Sequence, residues 1–257
     1  MFKNKIILLF LVAAAVGAIV FYYDRWPVVA GSVRTELDSL LAKLTRVEKR
    51  VMYSAQALAP FRKGFDVALR VPFHKQEHAL SCEIAALKMA LNFYGVAVSE
   101  SDLLRDLPFS AKTSRGEGNI WGDPDKGFVG NIDGKIPNGG YGVYEQPIID
   151  LALQYREAKK MEEATLADVL NKVQGGHPVI VWGSLASGKN ISWLTPEDKY
   201  IKAIYGEHTR VVIGYRGTPG DPKYILLLDP IYGRVTMSKN KFLKDWALLD
   251  NKAVVIY

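Results

Sequence analysis

The chain has 257 residues, 49% of them apolar and 23% charged, which is enough to bury a sizeable core in one or at most two domains. Its formal charge of +6 is spread along the sequence, and the densest cluster, Arg46 to Arg50, includes Glu48. With no basic stripe carrying aromatics, nucleic acid is set aside as a partner. The one cysteine, Cys82, excludes an intramolecular disulfide framework and any multi-cysteine zinc or iron–sulfur site.

Lys3 and Lys5 precede an uncharged run from Ile6 to Tyr23, which as a helix would span roughly 27 Å. Phe21, Tyr22, Tyr23 and Trp26 crowd its far end, as at a lipid–water boundary. Residues 1–26 are therefore expected to be a single-pass membrane anchor with the remainder outside the cytoplasm. The alternative is a secreted chain cleaved near Ala13-Ala14-Ala15 or Gly17-Ala18. Residues 27–66 read as a stalk or linker, in which Val33, Leu37, Leu40, Leu41, Leu44, Val47 and Val51 repeat at helical spacing. Residues 33–51 could serve as a self-association seam.

A functional domain is expected over 67–257, opening near Val71-Pro72. Ser81 is placed to cap a helix from Cys82 to Tyr94 stopped by Gly95. Ser99 with Asp102, and Thr165 with Asp168, have the spacing of two more helix starts. A further helix is expected from Tyr144 to Tyr155, with Pro147 in its first turn. Between them, 115–142 is glycine-rich without apolar period and reads as a surface loop or a cover over a cleft. Asp123-Pro124-Asp125-Lys126-Gly127 within it departs too far from a calcium loop, and no metal or cofactor is expected. Strands follow at 178–183, 209–215, 224–228, 234–237 and 253–257, interrupted by a helix over 239–248. Helices first and strands later predict an α+β domain.

A lone cysteine is either a small buried hydrophobe or a nucleophile. On the first turn of a helix its sulfur faces free amides, which favours the thiolate. Of the four histidines, His74 and His78 read as surface residues and His177 as a turn residue. His208 opens an apolar strand. If that strand and the next pair about Pro219-Gly220, Ile231 falls opposite His208 and Asp229 lies diagonal to it, close enough for a carboxylate to orient the imidazole. The competing reading is a strand-end histidine and a turn aspartate. Gln76, six residues before Cys82, is a candidate oxyanion donor beside the Cys82 amide.

These residues resemble the bacteriocin-processing (double-glycine) peptidase-like branch of the papain-like cysteine peptidases. The matching stretches are Val71-Pro72-Phe73 through Gln76, Ser81-Cys82-Glu83 with its helix, Gly140-Tyr141-Gly142-Val143-Tyr144, Pro178 to Trp182, Glu207-His208 and Asp229-Pro230, together about 70–257. The resemblance implies a papain-like fold, with Cys82 as nucleophile, His208 as general base and acid, Asp229 as its orienter and Gln76 in the oxyanion hole. Tyr141 and Gly142 are expected to shape a groove for a peptide or protein substrate. Ser81-Cys82-Glu83 departs from the Asp-Cys-Gly pattern of transporter-linked members, and no ATP-binding motif follows, so a free-standing, membrane-anchored relative is implied. Two alternatives stay open: a non-catalytic peptide-binding module on the same fold, and an acyltransferase using the same trio.

Overall fold

The computed structural model describes residues 65–110 and 115–257. The anchor and the stalk helix expected from the sequence lie outside these residues. Among the described residues no helix is long and apolar enough to cross a membrane.

An antiparallel sheet forms the middle layer, in the order β2 (Ala158–Lys160), β9 (Ala253–Ile256), β3 (Val179–Ser184), β6 (Glu207–Gly217), β7 (Pro222–Asp229) and β8 (Gly233–Ser238). The short β1 (Val67–Ala68) also pairs with β6, against Gly214 and Tyr215. Strand alternation divides the core in two. On one face Ile180, Trp182, Val211, Ile213, Leu226 and Leu228 pack with Ile84, Leu87 and Leu91 of α1 (Cys82–Phe93) and Ile148 of α3 (Glu145–Leu153). On the other, Val179, Val181, Val212, Ile225 and Leu227 meet α4 (Leu166–Gln174) and α5 (Lys239–Trp246). Each fully buried Val, Leu or Ile contributes about 1.5–3 kcal/mol relative to exposure, so both helical layers are held by apolar burial.

The capping arguments hold for α2 (Glu100–Asp106), where Ser99 accepts from the Asp102 amide, and for α4, where Thr165 and Asp168 form the full reciprocal box. Ser81 precedes α1 without capping it by its side chain. Its hydroxyl is drawn instead to the buried Glu100, with which it makes a short hydrogen bond.

The glycine-rich stretch departs from the expected surface cover. Trp121, Phe128 and Val129 are buried in the main core. Gly130 bridges to Gly140, and the backbone lies too close there for a side chain. Asp123 and Asp125 are held by the Lys199 ammonium at 2.8–3.2 Å. Lys199 precedes a hairpin strand, β5 (Tyr200–Ile204), which pairs with β4 (Asn190–Leu194). Neither strand is among those expected from the sequence, although Ile191 and Trp193, and Ile201 and Ala203, alternate as in a strand.

Candidate active site

Cys82 is the first residue of α1 and is buried. His208 and Asp229 meet across the β6–β7 ladder, with His208 Nε2 3.0 Å from Asp229 Oδ2 and both residues at most 2% exposed. The register is the reason. Val211 pairs with Leu228, the register that the turn position predicted, because two irregularities further along the hairpin cancel, and Asp229 follows Leu228 at the end of β7 within reach of His208. Asp229 Oδ1 also accepts the Ile231 and Tyr232 amides at 2.8 and 3.1 Å. Arg210, on the same face as His208, donates to Asp229 at 2.9 Å, to Asp245 at 3.0 Å and to the Ser184 carbonyl at 3.0 Å.

The backbone amide of Thr209, the residue after His208, acts to lower the Cys82 thiol, and Glu207, the residue before it, sets a carboxyl oxygen within 4.8 Å of the sulfur, so the histidine backbone lies beside the thiol. The structure does not bring the two side chains together: alternation along β6 turns Glu207, Thr209 and Val211 toward α1 and the thiol, and His208, Arg210 and Val212 toward the opposite face. The thiol donates to Glu83 Oε2 at 3.3 Å, and the imidazole faces Asp229. Because Nε2 faces a carboxylate, the proton belongs on that nitrogen and Nδ1 keeps its lone pair.

Charge in the site does not follow the expectation from the helix terminus. Burial pushes the Cys82 thiol well above its ordinary range, and Glu83 and Glu207 push the same way, while the Thr209 amide offsets only part. Two carboxyls and desolvation outweigh the free amides of one helix turn. Burial also lowers the basicity of His208, against the pull of Asp229. Burial works to raise Asp229, but the hydrogen bond and charge of His208, with the Ile231 amide and Arg210, hold it well below the usual carboxylate range. The thiol and the imidazole are therefore both neutral at rest.

Gln76 donates its side-chain amide to the His78 and Ala79 carbonyls at 2.9 and 3.0 Å, and its backbone amide to the Pro230 carbonyl at 3.0 Å. The segment before Cys82 is thus tied to the residue after Asp229. His74, expected at the surface, is buried, with Nε2 2.6 Å from Glu100 Oε2. Glu100 gathers this segment through His74, the Glu77 amide and Ser81.

Tyr141 and Gly142, expected to shape a substrate groove, lie under the site instead. Tyr141 is 1% exposed and shares a 3.0 Å hydrogen bond with the Tyr144 hydroxyl. The amide of Val143 donates to Glu83 Oε1 at 2.7 Å and its carbonyl accepts from the Trp182 indole at 2.9 Å, which draws this segment inward. Gly142 is required by close approach. A Cβ there would collide with Glu83 Oε1 and lie 2.7 Å from Glu207 Oε2, at φ +153°. Gly142→Ala is expected to destabilise the protein by about 1–3 kcal/mol, read as a lowered denaturation midpoint at unchanged slope.

Glu83 and Glu207 are the site residues that sequence reasoning passed over, the first as a first-turn acid and the second as a neighbour of His208. Their signal was symmetry, since one directly follows the cysteine and the other directly precedes the histidine. Among the described residues two groups have the donors for a metal ion, His74 with Glu77 and Glu100, and Cys82 with Glu83 and Glu207. In both, hydrogen bonds within the group already engage some of these atoms.

The model of the Peptidase_C39 like family matches residues 68–254. Among solved structures, a Bacillus anthracis protein described as a C39-like peptidase shares 27% identity at a TM-score of 0.64, with 74% of this chain and 96% of that one covered. A double glycine motif protease from an AMS/PCAT transporter, in complex with the leader peptide, aligns at 17% identity and TM-score 0.42, covering 74% and 94%. The peptidase domain of Streptococcus ComA aligns at 16% and 0.42, covering 72% and 96%. A comparison with curated proteins found no match. The matched span holds the described sheet except Val67, Val255 and Ile256 at its ends, together with the cysteine helix and the His–Asp pair, and the chain accordingly belongs to the Peptidase_C39 like family, as a cysteine-type peptidase.

Proposed function

We propose that this peptidase cleaves peptide bonds with Cys82 as nucleophile, His208 as general base and then acid, and Asp229 as the residue that orients the imidazole. The observation that carries this reading is the buried His208–Asp229 pair on the strand whose next amide reaches the Cys82 sulfur. Once the imidazole turns from the far face of β6 toward the thiol, His208 Nδ1 takes the thiol proton as Sγ attacks the scissile carbonyl, and the imidazolium then protonates the leaving amine. Water releases the acyl group by the same route in reverse. The Cys82 amide, free at the helix start, supports the oxyanion, joined by Gln76 once its side chain turns from the His78 and Ala79 carbonyls. The apolar run at 6–23 and the lysines before it support an anchored peptidase acting outside the cytoplasm.

The test uses the full chain, in membranes or detergent, with a peptide library and iodoacetamide. Stoichiometric alkylation of Cys82 is expected to abolish cleavage in parallel, and Cys82→Ser to be inactive while folded. Cleavage that persists in the fully alkylated protein or in Cys82→Ser would exclude the assignment. Mass analysis of products with and without added amines separates hydrolysis from acyl transfer.

A further inference from the structure

The Cys82 sulfur and one oxygen each of Glu83 and Glu207 lie within 4.8 Å of one another, and all three residues are buried. Glu83 spends its oxygens on the Val143 amide and the thiol, and Glu207 accepts from the Thr209 hydroxyl at 3.2 Å. Both carboxyls crowd the α-carbon of Gly142, the one residue type that leaves room for them. The groups facing them are the thiol from α1, the Tyr141 and Tyr144 hydroxyls from the 141–144 segment, and Thr209 on β6. Arg210, the cation that acts on Glu207, projects from the other face of β6 and is engaged by Asp229 and Asp245, as His208 is by Asp229. Two buried carboxylates at this separation without a cation between them cannot both stay ionised.

The geometry points to Glu83 and Glu207 as one positioning unit, a carboxyl pair that shares a single proton, leaves one negative charge beside Cys82 and so restrains ionisation of the thiol. The titration agrees in direction. Burial raises Glu83 to about 7, against the Val143 amide, and burial together with the charge of Glu83 raises Glu207 well above its ordinary value. The consequence for catalysis rests on Cys82 being the nucleophile. Transfer of the thiol proton to His208 creates a thiolate next to the pair, which is easier when the pair is fully protonated than when it carries charge. Cleavage is then favoured on the acid side of neutrality and falls as pH rises through the loss of that second proton.

The shared proton has a non-additive signature. Replacing one carboxyl frees the other to ionise, so Glu83→Gln or Glu207→Gln still leaves one charge at the sulfur, and only the double replacement removes it. Above pH 7 the infrared C=O stretch of a protonated carboxylic acid is expected in the wild type, and its pH midpoint is expected to fall in each single variant, where burial still raises the remaining carboxyl but its neighbour's charge no longer does. The pH midpoint of iodoacetamide alkylation is expected to fall by about one unit or more in the double variant, which is about tenfold in thiolate on its acid side, and by much less in either single one. A protonated-acid band that keeps its wild-type pH midpoint in the single variants, additive single shifts in alkylation, or a double variant with the wild-type alkylation midpoint would each overturn the proposal. Should the double variant fail to fold, the infrared result on the single variants decides. Neither readout requires turnover, so cleavage that persists in Cys82→Ser would remove the nucleophile assignment and leave the carboxyl pair standing or falling on its own measurement.

Discussion

His208→Ala is expected to lower kcat/KM by about 10³-fold or more, Asp229→Asn to approach a loss of about 10⁴-fold, and the double variant to be no worse than the poorer single one. The reasoning is tautomeric. Asp229 accepts from Nε2 and thereby leaves the Nδ1 lone pair as the base. An asparagine can present its amide N–H to Nε2, which favours the tautomer with the proton on Nδ1 and removes the acceptor for the thiol proton. Thermal unfolding and alkylation of Cys82 check that both variants fold and present the thiol. Additive losses would mean that the two residues act independently and that the pair is structural. The acid limb carries a second check. Burial makes the wild-type His208 less basic than a free imidazole, so activity persists below the usual histidine range before protonation of the base removes it.

The His–Asp pairing was legible because it depends on turn position and strand alternation, both of which are written locally. Gly217, Pro219 and Gly220 located the turn, and the two ladder irregularities between Val212 and Gly217 left the register at Val211 where simple counting put it. The capping box at Thr165 was legible for the same reason. What sequence reasoning missed involves contacts distant in the chain. Ser81 has every attribute of a cap, yet a buried carboxylate 19 residues away claims its hydroxyl. His74 looked like a surface residue because its partner is also Glu100, 26 residues on. The segment 158–160 becomes a strand only because the C-terminal strand lies beside it. Tyr141 was given to a groove from its place in a glycine-rich stretch, whereas Glu83 and Trp182 pull that stretch under the site. The helix terminus favours the thiolate of Cys82, but burial first, and then two carboxyls contributed by separate elements, reverse the sign.

Arg210→Met is expected to cost about 3–5 kcal/mol of stability, more than its effect on any one contact, because it strips the counter-charge from two carboxylates at once. Asp229 and Asp245 both bond the guanidinium, which also satisfies the Ser184 carbonyl on β3. For a domain of this size the melting temperature falls by roughly 10 °C. The loss has a pH dependence with a defined sign. Asp229 is depressed in the folded state, so its contribution is present above its unfolded value of about 3.9 and fades as pH falls below it. Wild type and variant therefore converge in stability toward strong acid. Catalysis moves separately. The Arg210 charge is one of the influences lowering the basicity of His208, after burial itself. Removing it raises the imidazole pKa and shifts the acid limb of kcat/KM to higher pH. An acid limb that stays in place while the melting temperature falls would assign Arg210 to stability alone.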